Sequence, residues 1–163
     1  MSSNISPCLW FATEAEEAAK FYIGIFKNSR ITKISRYPDV GEEVHGKRPG
    51  SAMTVGFVLD GMSFIALNGG HHFKFSEAIS FQVECATQEE VDYYWERLSD
   101  GGDPKSQQCG WLKDKFGLSW QLVPKGLSEL LGHPDRDKAN RANEGHAANE
   151  EAGHACIRAR YRG

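Results

Sequence analysis

Cys109-Gly110-Trp111-Leu112-Lys113-Asp114-Lys115-Phe116-Gly117-Leu118-Ser119-Trp120-Gln121-Leu122-Val123-Pro124 is the stretch whose reading decides the fold. It reads as two short strands folded about Asp114 to Gly117. Gly117 suits a turn position with positive φ. Trp111, Leu118, Trp120, Leu122 and Val123 favour pleated, half-buried backbone. Pro124 has no N–H to donate and stops the ladder. Gln121 is the one polar side chain in the middle of the second strand, so the face it occupies decides which residues can share a site with it.

Working outward, Ile79 to Cys85 predicts a strand. Thr87 then caps a helix with Gln88, Glu89 and Glu90 in its first turn, and Val91, Tyr94, Trp95 and Leu98 form its apolar stripe. Gly101-Gly102 ends it, and a short strand is expected near Lys105 to Gln108. The same order occurs earlier in the chain. Ile5 to Phe11 predicts a strand, and Thr13 followed by Glu14, Glu16 and Glu17 predicts a capped helix start. Ala15, Ala18, Ala19, Tyr22, Ile23 and Phe26 give that helix its stripe. Arg30 to Tyr37 alternates as a strand, Pro38 to Gly50 is loop, and Asp60-Gly61 joins the strands Ser51 to Leu59 and Met62 to Asn68 in a hairpin.

Glu16-Glu17 aligns with Glu89-Glu90 at an offset of 89 − 16 = 73 residues. The chain is therefore expected to be α+β and internally duplicated, with two βαβββ modules over residues 5–70 and 77–124. Each module lays one helix on one face of a bent sheet, and the two opposite faces are expected to enclose a cleft. Residues 1–138 are read as a single domain. Beyond Ala139 the apolar stripe fails at Asn140, Asn143, Gly145, Asn149 and Gly153, so residues 139–163 are expected to form only a weak helical tail.

The 163 residues suffice for one proper core, and 40% hydrophobic with 25% charged residues is ordinary for a globular protein. A net charge of −3 provides neither a nucleic-acid footprint nor an attraction to membranes. Met1 to Pro7 shows no basic n-region and no long apolar run, so neither a signal peptide nor a membrane span is expected. Cys8, Cys85, Cys109 and Cys156 form no CxxC pair, and the cytoplasm is the expected compartment.

Pro7-Cys8-Leu9-Trp10-Phe11, Ala18-Ala19-Lys20-Phe21-Tyr22, Ala66-Leu67-Asn68-Gly69-Gly70, Glu77-Ala78-Ile79-Ser80-Phe81 and Gly110 to Gln121 resemble the PhnB-like family, also labelled 3-demethylubiquinone 3-methyltransferase-like. That family is part of the vicinal oxygen chelate superfamily, with glyoxalase I, ring-cleaving dioxygenases and bleomycin-resistance proteins. The resemblance spans about Ile5 to Lys138 and implies paired βαβββ modules assembled as a homodimer. Metal-dependent members of the superfamily place His, Gln or Glu at four matching strand positions. Carried over through Phe21-Tyr22 and Ile79, these fall on Pro7, Ala66, Ala78 and Gln121. Three of the four have no coordinating side chain, so no metal and no other cofactor is expected. Gly69-Gly70 and Gly101-Gly102 do not open helices, unlike the turns that hold nucleotide-type cofactors.

Strand parity places Ser119 and Val123 with Gln121, and Trp120 and Leu122 against a helix. In the first hairpin, pairing through Asp60-Gly61 puts Phe57 beside Phe64, Val55 beside Ala66 and Met53 beside Asn68. With Ala66 taken as a cleft position, Phe57, Phe64 and Asn68 are expected in the cleft, with Leu9, Phe11, Ser80, Gln82 and Glu84. The expected ligand-binding set is Gln121, Asn68, Phe57, Phe64, Gln82, Leu9 and Trp111, lining a site for a small, partly aromatic molecule. His71-His72 and Cys109 read as ordinary loop residues, and no nucleophile–base pair is legible, so the catalytic residues are unknown. The leading expectation is a metal-independent small-molecule-binding protein. The alternatives are an enzyme, either a methyltransferase or a glyoxalase- or dioxygenase-type metalloenzyme, and a dimer that binds no ligand.

Overall fold

The structure is a computed structural model, and it describes residues 5–40, 46–108 and 110–126. The chain forms two compact units, Met1–Lys74 and Phe75–Gly163. Among the described residues each has one α-helix on one mixed sheet, so the α+β class follows. The weak helix expected over residues 139–163 lies outside the described residues, as does Cys109.

The first unit runs β1 (Cys8–Phe11), α1 (Ala15–Ile25), β2 (Arg30–Arg36), β3 (Ala52–Leu59) and β4 (Met62–Asn68). Its sheet has the order β1-β4-β3-β2, with β1 parallel to β4 and the other pairs antiparallel. This is the expected βαβββ order. Asp60 and Gly61 both take positive φ, 43° and 85°, as a two-residue hairpin turn that follows the strand twist requires. Helix α1 buries Ala15, Ala18, Ala19, Tyr22 and Ile25. The three alanines bring it close to the sheet, and the Tyr22 ring stacks on Phe57 with centroids 6.2 Å apart. On the other side of this sheet the Trp10 indole lies over the backbone of Gly69. A Cβ there would sit 2.0 Å from the ring, and the Trp10 Nε1–H donates to Gly70 O at 2.8 Å. Gly69 is thus required by the close approach of a ring.

The second unit runs β5 (Phe81–Cys85), α2 (Gln88–Ser99), a 3-10 turn (Pro104–Ser106), β6 (Trp111–Lys113) and β7 (Ser119–Pro124). The sheet order is β5-β7-β6, with β5 parallel and β6 antiparallel to β7. The strand expected near Lys105 to Gln108 is instead the 3-10 turn, followed by an isolated bridge from Gln108 to Trp111. Asp103 Oδ1 accepts from Lys105 N at 2.9 Å, and Pro104 brings a preset φ and no N–H, so this segment starts a turn rather than a ladder. Thr87 caps α2 as expected, accepting from Glu90 N at 3.3 Å, while Glu90 Oε2 accepts from Ala86 N at 2.7 Å. Gly101, at φ 73°, ends the helix. Gly102 allows the chain to pass β6, because a Cβ there would lie 2.2 Å from Lys113 O.

The two helices open at matching positions. Ala15 and Gln88 open them, and Glu16 and Glu89 each take the second position. Among the described residues, no helix is long and apolar enough to cross a membrane.

Candidate functional site

In each unit the helix covers one sheet face. Register shows which side chains lie under it and which do not. In the first unit, Phe57 pairs with Phe64, Val55 with Ala66, and Leu9 with Ala66. Phe57 stacks on Tyr22 of α1 and on Phe64, the latter at 5.3 Å. Leu9, Phe11, Phe57, Phe64 and Ala66 are therefore core residues beneath α1, all buried. The expected orientation of this module is reversed. The face that α1 leaves uncovered carries Trp10, Leu67, Ile65 and Cys8 instead.

The expectation rested on taking Ala66 as a cleft position, carried over from the superfamily. Ala66 lies beneath α1, and its strand neighbours Leu9 and Val55, with Phe57 and Phe64 two residues along, share its face.

Asn68 belongs to the core as well, and both ends of its amide are bonded. Its Oδ1 accepts from Ala15 N at 2.8 Å, and its Nδ2 donates to Ala52 O at 2.8 Å. The expected Thr13 cap is absent: Glu14 is the N-cap and makes no side-chain capping bond. The first N–H of α1 is satisfied by a strand residue, so Asn68 fastens the helix to the sheet.

In the second unit the parity around Gln121 follows the expectation. Val83 and Leu122 pair beneath α2, with Phe81 and Leu112 both beside Trp120. Gln121 lies on the other face, flanked by Gln82 on β5 and Trp111 on β6. Gln121 Nε2 donates to Ser80 Oγ at 2.7 Å, and Gln82 Nε2 donates to Gln121 Oε1 at a long 3.4 Å. A primary amide has two donors and two lone pairs, so Gln121 keeps one of each for another partner, and Ser80 keeps its hydroxyl proton. Trp111, 37% exposed, supplies an apolar surface beside them. Two residues along β7, Ser119 is 1% exposed and its Oγ has no hydrogen-bond partner. At the end of this face Lys113 Nζ pairs with the Glu77 carboxylate. The Lys113 hydrogen bond, with the residue's own backbone N–H, holds the Glu77 carboxyl below its usual range. Of the expected set, Gln121, Gln82 and Trp111 come together here, while Leu9, Phe57, Phe64 and Asn68 lie in the other unit's core.

One residue of consequence escaped the sequence reading. Asp114, 2% exposed, was read only as part of a turn. Its Oδ1 accepts from Phe116 N at 2.9 Å and Leu118 N at 3.1 Å, and its Oδ2 from Trp120 Nε1 at 2.8 Å. This carboxylate ties the turn to the strand carrying Gln121, and so fixes the strand's register. The spacing Asp-x-Phe-Gly-Leu-x-Trp was the available signal, since an Asp opening a tight turn accepts from the N–H two residues on.

The four positions carried over from the superfamily do not make a metal site. Pro7, Ala66 and Ala78 have no donor side chain, and Ala66 is fully buried under α1. Among the described residues no group of three or more His, Cys, Asp or Glu is placed to hold an ion. The glycine pairs serve ring packing and a helix end, as described above.

Comparison with known proteins agrees with this architecture. The family model for 3-demethylubiquinone-9 3-methyltransferase matches residues 3–123. The PhnB protein of Bacillus cereus is 35% identical over 75% of this chain and 99% of its own, with a TM-score of 0.64. Protein PA1353 of Pseudomonas aeruginosa is 18% identical over 76% of this chain and 98% of its own, with a TM-score of 0.59. The fosfomycin resistance protein FosX of Mesorhizobium loti is 14% identical over 82% of this chain and 99% of its own, with a TM-score of 0.54. The last two show likeness of fold alone. No curated protein matches the chain. The chain belongs to the 3-demethylubiquinone-9 3-methyltransferase, or PhnB-like, family, whose structural neighbours PhnB and FosX are members of the vicinal oxygen chelate superfamily.

Proposed function

We propose that this chain binds a small, partly aromatic molecule on the face of the second sheet that α2 leaves uncovered. The single observation that carries this is the Gln121 amide, held in place by Ser80 and Gln82 with one donor and one acceptor still to spend. An amide with a donor and an acceptor to spare fixes a ligand's orientation, and Trp111 beside it offers a flat partner for a ring. The buried Ser119 hydroxyl, without a partner, adds a second polar point on the same strand face. The chain acts in this reading as a homodimer, which covers open strand edges such as that of β2.

The reading requires no metal and no methyl-donating cofactor. The carried-over ligand positions supply no donor set, and the glycine pairs are engaged in packing. Native mass spectrometry of the freshly purified protein tests it, because it reports bound small molecule, bound ion and subunit number together. A dimer carrying an organic adduct is expected. An ion near one per chain held through Gln121 refutes the reading.

A further inference from the structure

The face of the second sheet that α2 leaves uncovered carries a carboxylate beside the Gln121 amide. Glu84 stands two residues beyond Gln82 on β5, and the two-residue period of a strand puts both on one face. Both are exposed, while Phe81 and Val83, on the opposite parity, are half-buried. Register sets Gln82 beside Gln121 and Glu84 beside Val123. Trp111 on β6 flanks Gln121 from the other side. Across the three strands the order is therefore the Trp111 ring, the Gln121 amide and the β5 edge, where Glu84 lies one step diagonally from Gln121. With strands about 4.8 Å apart and a rise of about 3.3 Å per residue, the Cα atoms of Gln121 and Glu84 stand about 8 Å apart. Two side chains of that length converge on one atom between them.

The charge of this face is unbalanced. Lys113, at the far end, is met by the Glu77 carboxylate. Glu84 has no ion pair among the described residues. Lys125, just past the end of β7, donates its backbone N–H to Cys85 O at 2.9 Å and makes no ion pair with Glu84 either. A negative charge is thus left in front of a flat ring and an amide that still has a free lone pair. The Ser119 hydroxyl, 1% exposed and without a partner, is an independent sign that this face lacks a polar partner. An ammonium group has three donors and no acceptor. It satisfies the spare Gln121 carbonyl lone pair and the Glu84 carboxylate at once. A neutral hydroxyl has one proton to give, and a carboxylate meets Glu84 as a like charge.

We infer that the ligand class of this face is an aromatic amine, with its ring on Trp111 and its protonated nitrogen between the Gln121 carbonyl and the Glu84 carboxylate. The inference rests on the binding reading above and names the kind of molecule that site takes. Glu84 is in this account the residue that selects for charge.

Titration of the isotope-labelled full chain with phenethylamine, phenylethanol and phenylacetate at neutral pH and constant ionic strength tests this. The three share a ring and differ in charge. NMR shifts are read at the Gln121 side-chain amide and the Trp111 indole N–H. Phenethylamine is expected to shift both signals saturably, with an apparent Kd about threefold or more below that of phenylethanol, the scale of an exposed ion pair. Phenylacetate is expected to bind most weakly. Glu84→Gln, at an exposed strand position, is expected to remove the preference for the amine over the alcohol. Glu96→Gln, an exposed carboxylate on α2, is expected to keep it. Equal affinity for amine and alcohol in the wild type, or a preference that survives Glu84→Gln, overturns the proposal and leaves the binding reading standing. No shift of either signal with any of the three overturns both.

Discussion

Replacing Asn68 by alanine separates the two roles that residue can play. The structure makes it a structural fastener, with Ala15 N and Ala52 O both bonded to its side chain at 2.8 Å. Truncation removes both bonds at once and leaves a buried N–H and a buried carbonyl unpaired. An unsatisfied buried group costs about 1–3 kcal/mol. Asn68 lines a surface pocket, so water can partly reach the exposed groups, and the lower half of the range applies to each. The expected loss is about 2–4 kcal/mol in total, a large share of the about 5–15 kcal/mol that holds a typical domain. The assay is urea unfolding followed by tryptophan fluorescence, with the m-value compared between wild type and variant. An unchanged m with a lowered midpoint locates the loss in the folded state. A change below about 0.5 kcal/mol, typical of exposed positions, refutes the account and returns Asn68 to a solvent-facing role.

Two further predictions concern the second unit. Asp114→Ala leaves three N–H donors without an acceptor, those of Phe116, Leu118 and the Trp120 indole. It is expected to cost about 3 kcal/mol or more in the same urea assay, and a loss below about 1 kcal/mol contradicts the role given to it. Burial, with Glu90 nearby, pushes the Cys85 thiol up from 9.0 to about 12. Below pH 9 the thiol is protonated in both folded and unfolded chains and costs nothing. Between about pH 9 and 12 only the unfolded chain ionises, so the stability contributed by this group falls as pH rises through that window, with a limiting slope of about 1.4 kcal/mol per unit. Unfolding of wild type and Cys85→Ala between pH 8 and 11 is expected to show a steeper decline in wild type, and parallel curves contradict the assignment.

What the sequence made legible was local. Asp60-Gly61 announced a hairpin, because the turn needs positive φ at both central residues. Thr87 announced a helix start, because its partner Glu90 is three residues away. The face of Gln121 followed from the two-residue period of its own strand. The Asn68–Ala15 bond, across 53 residues, left no local trace, and Thr13 offered a plausible cap in its place. The first sheet's orientation was misread because Ala66 was taken as a cleft position, and every residue sharing its face went with it. Lys105 to Gln108 read as a strand because the stop signal, Asp103-Pro104, was not weighed.

The most direct test of the central claim is native mass spectrometry of wild type and Gln121→Leu as purified, with urea unfolding of both. The account predicts an organic adduct on wild type, its loss or marked reduction in the variant, and stabilities within about 1 kcal/mol, since the amide is only half buried and its bonds to Ser80 and Gln82 are partly solvated. Equal adduct occupancy in both proteins, or no adduct in either together with a stability loss of about 2 kcal/mol in the variant, would contradict it and make Gln121 a structural residue.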